Sequence, residues 1–398
     1  MAAGGGQGDG VFRRQVLYIP GYDPFPPRRY RELYRKEGAA QAAISGYALT
    51  VEGRVGSGHA WRVRSDMGQP AEAEVEVLVW SDLVRQSMGQ GIAATYLLLA
   101  RTAWVYAGSG ALWRLLRLRK GPMVAALYPA VLLVLQALVA VLLAELVLWL
   151  VPWPWLGWPV AAGTVWAVLA GFRRLDRRIY AYYLMHDYGF TALERGAYPA
   201  ALEARLAAFR ARLREALGTG VDEVLVVGHS SGAHLAVSVL ADLLREGVPE
   251  GPALAFLSLG QVVPMVSFLP GAARLRADLR YLSAREELTW VDVSAPGDGC
   301  TFALCDPVAV SGVAPEGQRW PLVISAAFSQ TLSPARWEAL RRRFFRLHFQ
   351  YLCAFDRPGD YDYFRITAGP LTLAERFRGR KPSASRITAA TNPYRDVA

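Results

Sequence analysis

A serine stands in the pentapeptide Gly228-His229-Ser230-Ser231-Gly232, directly after the apolar, β-branched run Val224-Leu225-Val226-Val227. From Ala233 to Leu244 the residues take on helical character, and the segment stops near Gly247. Strand, G-x-S-x-G, helix is the layout of a very tight turn that lifts a serine hydroxyl above a sheet edge. A side chain two residues to either side of the serine would collide there, and glycine removes the collision. The turn also brings the Ser231 N–H to a helix start, where it can stabilise an oxyanion. With 37 glycines in the chain, the five-residue pattern alone is weak. The buried strand before it, the helix after it, and the small residues Ser231 and Ala233 carry the reading.

The segment resembles the nucleophile elbow of the α/β-hydrolase superfamily, whose lipases and esterases often show the G-H-S-x-G form. The resemblance implies a chain order of serine, then Asp or Glu, then histidine, in which histidine takes the serine proton and the acid orients the imidazole. Of the five histidines, His234 and His348 follow Ser230. His234 lies four residues on, facing the packing side of the outgoing helix, so His348 is the expected base. His186 is the fallback, out of the family order. His59, in a Gly-rich turn, reads as exposed, and His229 as packed behind the elbow.

For the acid, Asp298 lies past the end of the strand Leu288 to Val293, where α/β folds gather catalytic groups. Asp292, within that strand, and Asp306, before Pro307, stay open as alternatives. Asp292 and Asp298 lack a His or Glu partner for a metal, so neither a metal nor a cofactor is expected. By the same resemblance, the loop after the strand Gln15 to Ile19 supplies a second oxyanion donor, the backbone N–H of Tyr22. The resemblance covers Gln15 to Trp80 and Val221 to about Gly369. In a departure from it, His348 follows a helix that Ser333 caps and Pro334 opens, rather than a strand.

These residues need a sheet to position them. Strands are expected at Gln15–Ile19, Tyr47–Val51, Ala60–Val63 and Glu74–Trp80, with a basic helix over Arg28–Ala43 and a long helix over Gly91–Leu118. An amphipathic helix over Pro199–Leu217 precedes the serine strand and ends at Gly218. Tyr361–Pro370 reads as the wall of a substrate mouth or as a closing edge strand.

The layout is broken by an almost wholly apolar stretch, Pro122 to Leu150, whose one charge is Glu145. It exceeds the roughly 20 residues that cross a bilayer. A Pro- and Trp-rich turn, Val151 to Pro159, leads to a second apolar run, Val160 to Phe172. That arm reaches only about 18 residues counted from Trp155, so a re-entrant hairpin is a serious variant. Arginines and a lysine flank both ends (Arg114, Arg117, Arg119, Lys120; Arg173, Arg174, Arg177, Arg178), and none stands at the tip. The positive-inside rule then puts the joined domain in the cytoplasm.

The expected fold is therefore α/β, an α/β-hydrolase-like, mostly parallel sheet with flanking helices plus an inserted transmembrane or re-entrant hairpin. Its parts are residues 11–120 and 174–375 for the sheet domain, 121–173 for the hairpin, and 376–398 for a basic, disordered tail. The net charge of +10 follows these flanks and the tail. No zinc-finger, RNA-binding or basic-zipper spacing accompanies it, which points to a membrane surface instead of nucleic acid. Three cysteines without CxxC spacing (Cys300, Cys305, Cys353) exclude a disulfide framework and read as free thiols. The Gly/Ala-rich start has no apolar core and is not a secretory signal. The expected activity is ester cleavage of a lipid or other apolar acyl substrate. The rival is a non-catalytic membrane scaffold on the same fold.

Overall fold

The computed structural model of the chain describes residues 10–54, 59–248 and 251–397. The N-terminal segment 1–9 and the Gly-rich stretch 55–58 before His59 lie outside them. Among the described residues one sheet has eight strands: β1 Phe12–Ile19, β2 Ala48–Gly53, β3 Ala60–Asp66, β4 Pro70–Val77, β5 Glu223–His229, β6 Ala253–Leu259, β7 Leu288–Ser294 and β8 Leu322–Ser325. Their order is β2-β3-β4-β1-β5-β6-β7-β8. β2, β3 and β4 form an antiparallel meander, and every pairing from β4 through β8 is parallel.

β5 is buried along its whole length, which explains its continuous apolar run. Alternate residues feed two cores. Leu17, Ile19, Val224 and Val226 face one, Val16, Tyr18, Leu225 and Val227 the other. The meander instead alternates buried and exposed positions, with Arg64 reaching Glu52 and Glu72 across its outer face. β6 and β8 escape the sequence patterns. Ala-Leu-Ala-Phe-Leu-Ser-Leu suits a buried helix as well as a strand, and β8 has only four residues.

After β1 the chain enters α1 (Arg28–Ser45), whose Tyr30 and Tyr34 pack on the Val16/Tyr18 side. After β5 it enters a helix whose Leu235 and Val239 pack on the Leu17/Ile19 side. β1 connects toward β2 and β5 toward β6, in opposite directions and over opposite faces, so a crevice opens between their carboxyl ends.

The long connection from β4 to β5 holds α2 (Ser81–Met88), α3 (Ile92–Gly108), α4 (Ala111–Leu118), α5 (Lys120–Leu150), α6 (Pro154–Arg174), α7 (Asp176–Ile179), α8 (Ala181–Ala192) and α9 (Ala200–Leu217). The helix after Ser230 is α10 (Gly232–Arg245). The single helix expected over Gly91–Leu118 is two, broken at Ser109-Gly110, where Gly110 takes a positive φ of 74°. The hairpin turn is shorter than expected. Pro154 sits in the first turn of α6, where its missing N–H costs nothing, so the second arm runs 21 residues. Both arms are long and apolar enough to cross a membrane, and only 22% and 11% of their most apolar windows are buried within the protein.

Two other expectations are corrected. Tyr361–Pro370 is neither mouth nor edge strand. Tyr363–Ala368 is a short helix capped by Asp362, and Tyr361, Tyr363 and Phe364 are buried beneath the sheet. The basic tail is not disordered as far as residue 397. Ile387 pairs with Leu304 and Asp306, the Ser383 N–H donates to Val323, and Asn392 Nδ2 donates to the Ser267 carbonyl at 2.8 Å. Arg276, fully buried, reaches Asp396 at 2.9 Å. Backbone pairing and one buried guanidinium outweigh the charge repulsion that the composition suggests.

At the amino ends of β1 and β5, Arg14 Nε donates to Glu223 Oε2 at 2.5 Å, with both side chains buried. Arg14 also donates to the carbonyls of Gly369 and Leu371, and Glu223 Oε1 accepts from the Leu373 N–H. Glu223→Ala leaves a buried, unpaired guanidinium. The expected cost is about 3–5 kcal/mol, checked by denaturant unfolding.

Candidate functional site

Ser230 lies at the carboxyl end of β5, beside the β1/β5 crevice. Its φ of 56° is in the left-handed region, a strain of about 1–3 kcal/mol that a non-glycine residue bears only where the surroundings enforce it. The enforcing contacts are specific. The Ser230 N–H donates to the Leu259 carbonyl at 2.9 Å, and the Ser230 carbonyl accepts from the Ala233 N–H at 3.1 Å. A Cβ on Gly232 would fall 2.1 Å from the Ile19 carbonyl oxygen, and one on Gly228 would fall 2.8 Å from Ala233 Cα. Gly21 is equally tight, since a Cβ there would meet Ser230 Cβ at 2.9 Å and Oγ at 3.4 Å.

The structure brings His348 and Asp298 together. His348 Nδ1–H donates to Asp298 Oδ2 at 2.7 Å, with both residues buried. The Cys300 N–H donates to the other carboxylate oxygen at 2.9 Å, which fixes the plane of Asp298. With Nδ1 carrying the proton, Nε2 is left as an acceptor, and it is buried with no hydrogen-bond partner. The helix expected to run from Pro334 to Phe345, ahead of His348, is interrupted. Ser333 and Pro334 start Pro334–Leu340 as expected, the chain turns at Arg341–Arg343, and a second helix, Phe344–His348, carries the imidazole.

His229 has a role that its position next to the serine does not reveal. Its Nε2–H donates to the His348 carbonyl at 3.0 Å, and the two rings lie 4.7 Å apart. Burial first, then the neighbouring His348, push the His229 imidazole down to about 3, so it stays neutral. The other histidines are elsewhere engaged. His234 pairs through Nδ1 with the Tyr198 hydroxyl at 3.0 Å, and burial pushes it to about 3. His186 contacts Thr95 Oγ1 at 3.3 Å, and His59 is exposed beside the meander.

The two alternative acids are not at the site. Asp306 caps the short helix Pro307–Val310, accepting from the Val308 and Ala309 N–H groups. Asp292 accepts from Ser258 Oγ at 2.5 Å inside the sheet. Asp298, Cys300 and His348 offer ligand atoms within 4.8 Å of one another, as a metal site would. Here Nδ1 already donates to Asp298. Burial, with the charges of Asp298 and Asp187, pushes the Cys300 thiol up and keeps it protonated. Asp298 thus links the Cys300 backbone N–H to His348 Nδ1 by hydrogen bonds.

Ser230, Ser231, Tyr22 and His348 line one cavity of ≈ 900 Å³, whose far wall is the base of α5 and the α7–α8 corner. Its loop between β1 and α1 is held by Trp80 Nε1–H donating to the Pro20 carbonyl at 2.9 Å. The Tyr22 ring packs away among Trp80, Tyr183 and Phe190. Asp187, on α8, also lines the cavity. Burial pushes its carboxyl up to about 7, His348 being the charge that opposes this. The sequence shows it only as one acid within an aromatic stretch, with nothing to mark it. No family model, curated protein or solved structure matches the chain in comparisons with known proteins.

Burial, then the Asp306 charge, push the Asp292 carboxyl up to about 7 from 3.8, against the Ser258 hydrogen bond. The unfolded chain ionises Asp292 near its ordinary value while the folded protein keeps it protonated, so stability falls as pH rises from about 4 to about 7. Asp292→Asn is expected to flatten part of that fall. Unfolding measured at both ends of the window checks it.

Proposed function

We propose that the chain is a membrane-held serine hydrolase of α/β-hydrolase-like fold, cleaving an ester of a lipid or other apolar acyl compound. The observation that carries this is the strained Ser230 turn sharing a cavity with the 2.7 Å His348–Asp298 pair, with His348 Nε2 buried and unpartnered. In the proposed reaction Ser230 Oγ attacks the acyl carbonyl and His348 Nε2 takes its proton. Asp298 stabilises the imidazolium through Nδ1–H, and Nε2 returns the proton to the leaving alcohol. Water then repeats the cycle on the acyl-enzyme. The backbone N–H groups of Ser231, at the start of α10, and Tyr22 are the proposed oxyanion donors.

The lipid part rests on α5 and α6. Their outward side chains are Val, Leu and Trp, with Trp149, Trp153, Trp155 and Trp158 exposed around the tip. Tryptophans suit the headgroup level, and Glu145 lies only about 8 Å below the tip of α5, near enough for its charge to stay hydrated. At 1.5 Å per residue, the 21 residues of α6 reach about 31 Å, which matches the hydrocarbon core. By the positive-inside rule, the arginines at the base support a cytoplasmic hydrolase domain.

The competing reading is a non-catalytic membrane scaffold, favoured by one feature: no hydrogen bond joins Ser230 Oγ to His348 Nε2. Such bonds often tighten only when substrate is bound. A fluorophosphonate probe separates the two readings. Labelling of the wild type, absent in Ser230→Ala, is expected, and an unlabelled wild type sinks the hydrolase. Asp298→Asn is expected to lower kcat by about 10⁴ by releasing the imidazole tautomer, whereas Asp292→Asn leaves labelling intact. Hydrolysis of esters of graded acyl length checks the apolar preference.

A further inference from the structure

The cavity combines two chemistries. Its apolar part is formed by Leu184 of α8, Met265 and Phe345, together with the more exposed Val124 and Tyr128 of α5 and Phe344. Its rim carries four arginines from two segments far apart in sequence: Arg178 on α7, and Arg342 and Arg343 just before the helix that carries His348, with Arg346 in that helix. All four are exposed. Among the described residues, none of these guanidiniums makes an ion pair; Glu338, whose carboxyl feels the Arg342 charge, is bridged to Arg341.

The carboxylates of the lining do not answer this charge. Asp23 accepts from the Phe25 N–H at 2.9 Å and from the Tyr30 hydroxyl at 2.6 Å. Asp187 lines the wall without a hydrogen bond, and burial favours its neutral form. Four guanidiniums gathered at one opening repel one another, and an anion bound among them relieves that repulsion. Guanidinium forks fit phosphate oxygens bidentately. The rim also lies at the base of α5 and α6, beside Arg173, Arg174 and Arg177, where lipid headgroups would stand if the hairpin is inserted.

We propose that the cavity accepts an acyl ester carrying a phosphate, with the chain in the apolar part and the phosphate on Arg178, Arg342, Arg343 and Arg346. This rests on the hydrolase reading for what happens to the ester, but not for the binding. The volume, near the top of the roughly 300–1,000 Å³ range of ligand cavities, suits one long acyl chain rather than two. A monoacyl glycerol phosphate is the simplest molecule of this class.

The test separates binding from chemistry. Ser230→Ala protein in neutral detergent is titrated with a monoacylglycerol, with the same monoacylglycerol bearing a phosphate, and with inorganic phosphate. The phosphate-bearing lipid is expected to bind at least about tenfold more tightly than the neutral one. That ratio is expected to fall to within about threefold in Arg342→Gln/Arg343→Gln and to fall in Arg178→Gln, a second variant on a different element. Inorganic phosphate is expected not to displace the lipid at equal concentration. Equal binding of the two lipids, a ratio unchanged in both variants, or displacement by inorganic phosphate would each overturn the proposal. Wild-type protein that shows the headgroup ratio but resists the fluorophosphonate sinks the hydrolase alone, whereas labelling without the ratio sinks this proposal alone.

Discussion

The closest contact at the site is between α10 and the end of β1, and the remaining geometry follows from it. Gly232 approaches the Ile19 and Pro20 carbonyls so nearly that no side chain fits between them. That approach keeps the turn at Ser230 tight enough to hold a non-glycine residue at φ 56°. It also sets the first turn of α10 against the β1/β5 crevice, with the loop after β1 facing it. Gly21, Gly228 and Gly232 are thus one packing requirement met at three positions. Ser230 is strained because its neighbours leave the backbone no other course.

Around that turn, buried polar groups are satisfied in a chain. Asp298 is held by the Cys300 N–H and holds His348, and His229 holds the His348 carbonyl. The Tyr351 hydroxyl accepts from the Ala295 N–H in the loop that leads to Asp298. The conspicuous exception is His348 Nε2, buried and without a partner. A buried acceptor left open costs about 1–3 kcal/mol, and His348 lines the same cavity as Ser230. Asp292 shows the contrast: its environment favours the protonated form, deep in the sheet and off the cavity.

The hairpin and the site are structurally continuous. The first turns of α5 form the cavity wall, Leu133 packs with Tyr182 and Met185 of α8, and beyond that α5 presents mostly Val and Leu side chains outward. The 31 residues of α5 therefore divide into a base that belongs to the cavity and an arm that does not. Movement of the arm would bear directly on the wall facing Ser230.

Local pattern was enough to read the Ser230 turn, most strands and both apolar arms, because each is governed by neighbours within a few residues. Steric rules for G-x-S-x-G and the length of an apolar run need no knowledge of the rest of the chain. That Asp298 and His348 would pair was also legible, though only through the chain order of a resembling family. What the residues could not declare was set by packing between distant segments. β6 and β8 are strands because they are covered on both faces. Tyr361 to Phe364 lie beneath the sheet because aromatic burial outweighs their flanking charges, and the basic tail is held because the buried Arg276 reaches Asp396. The same holds for His229 behind His348, for Asp187 in the cavity wall and for the arginines of the rim. Proximity across 50 or more residues leaves no periodicity to read, since it arises only when the sheet brings those segments to one edge.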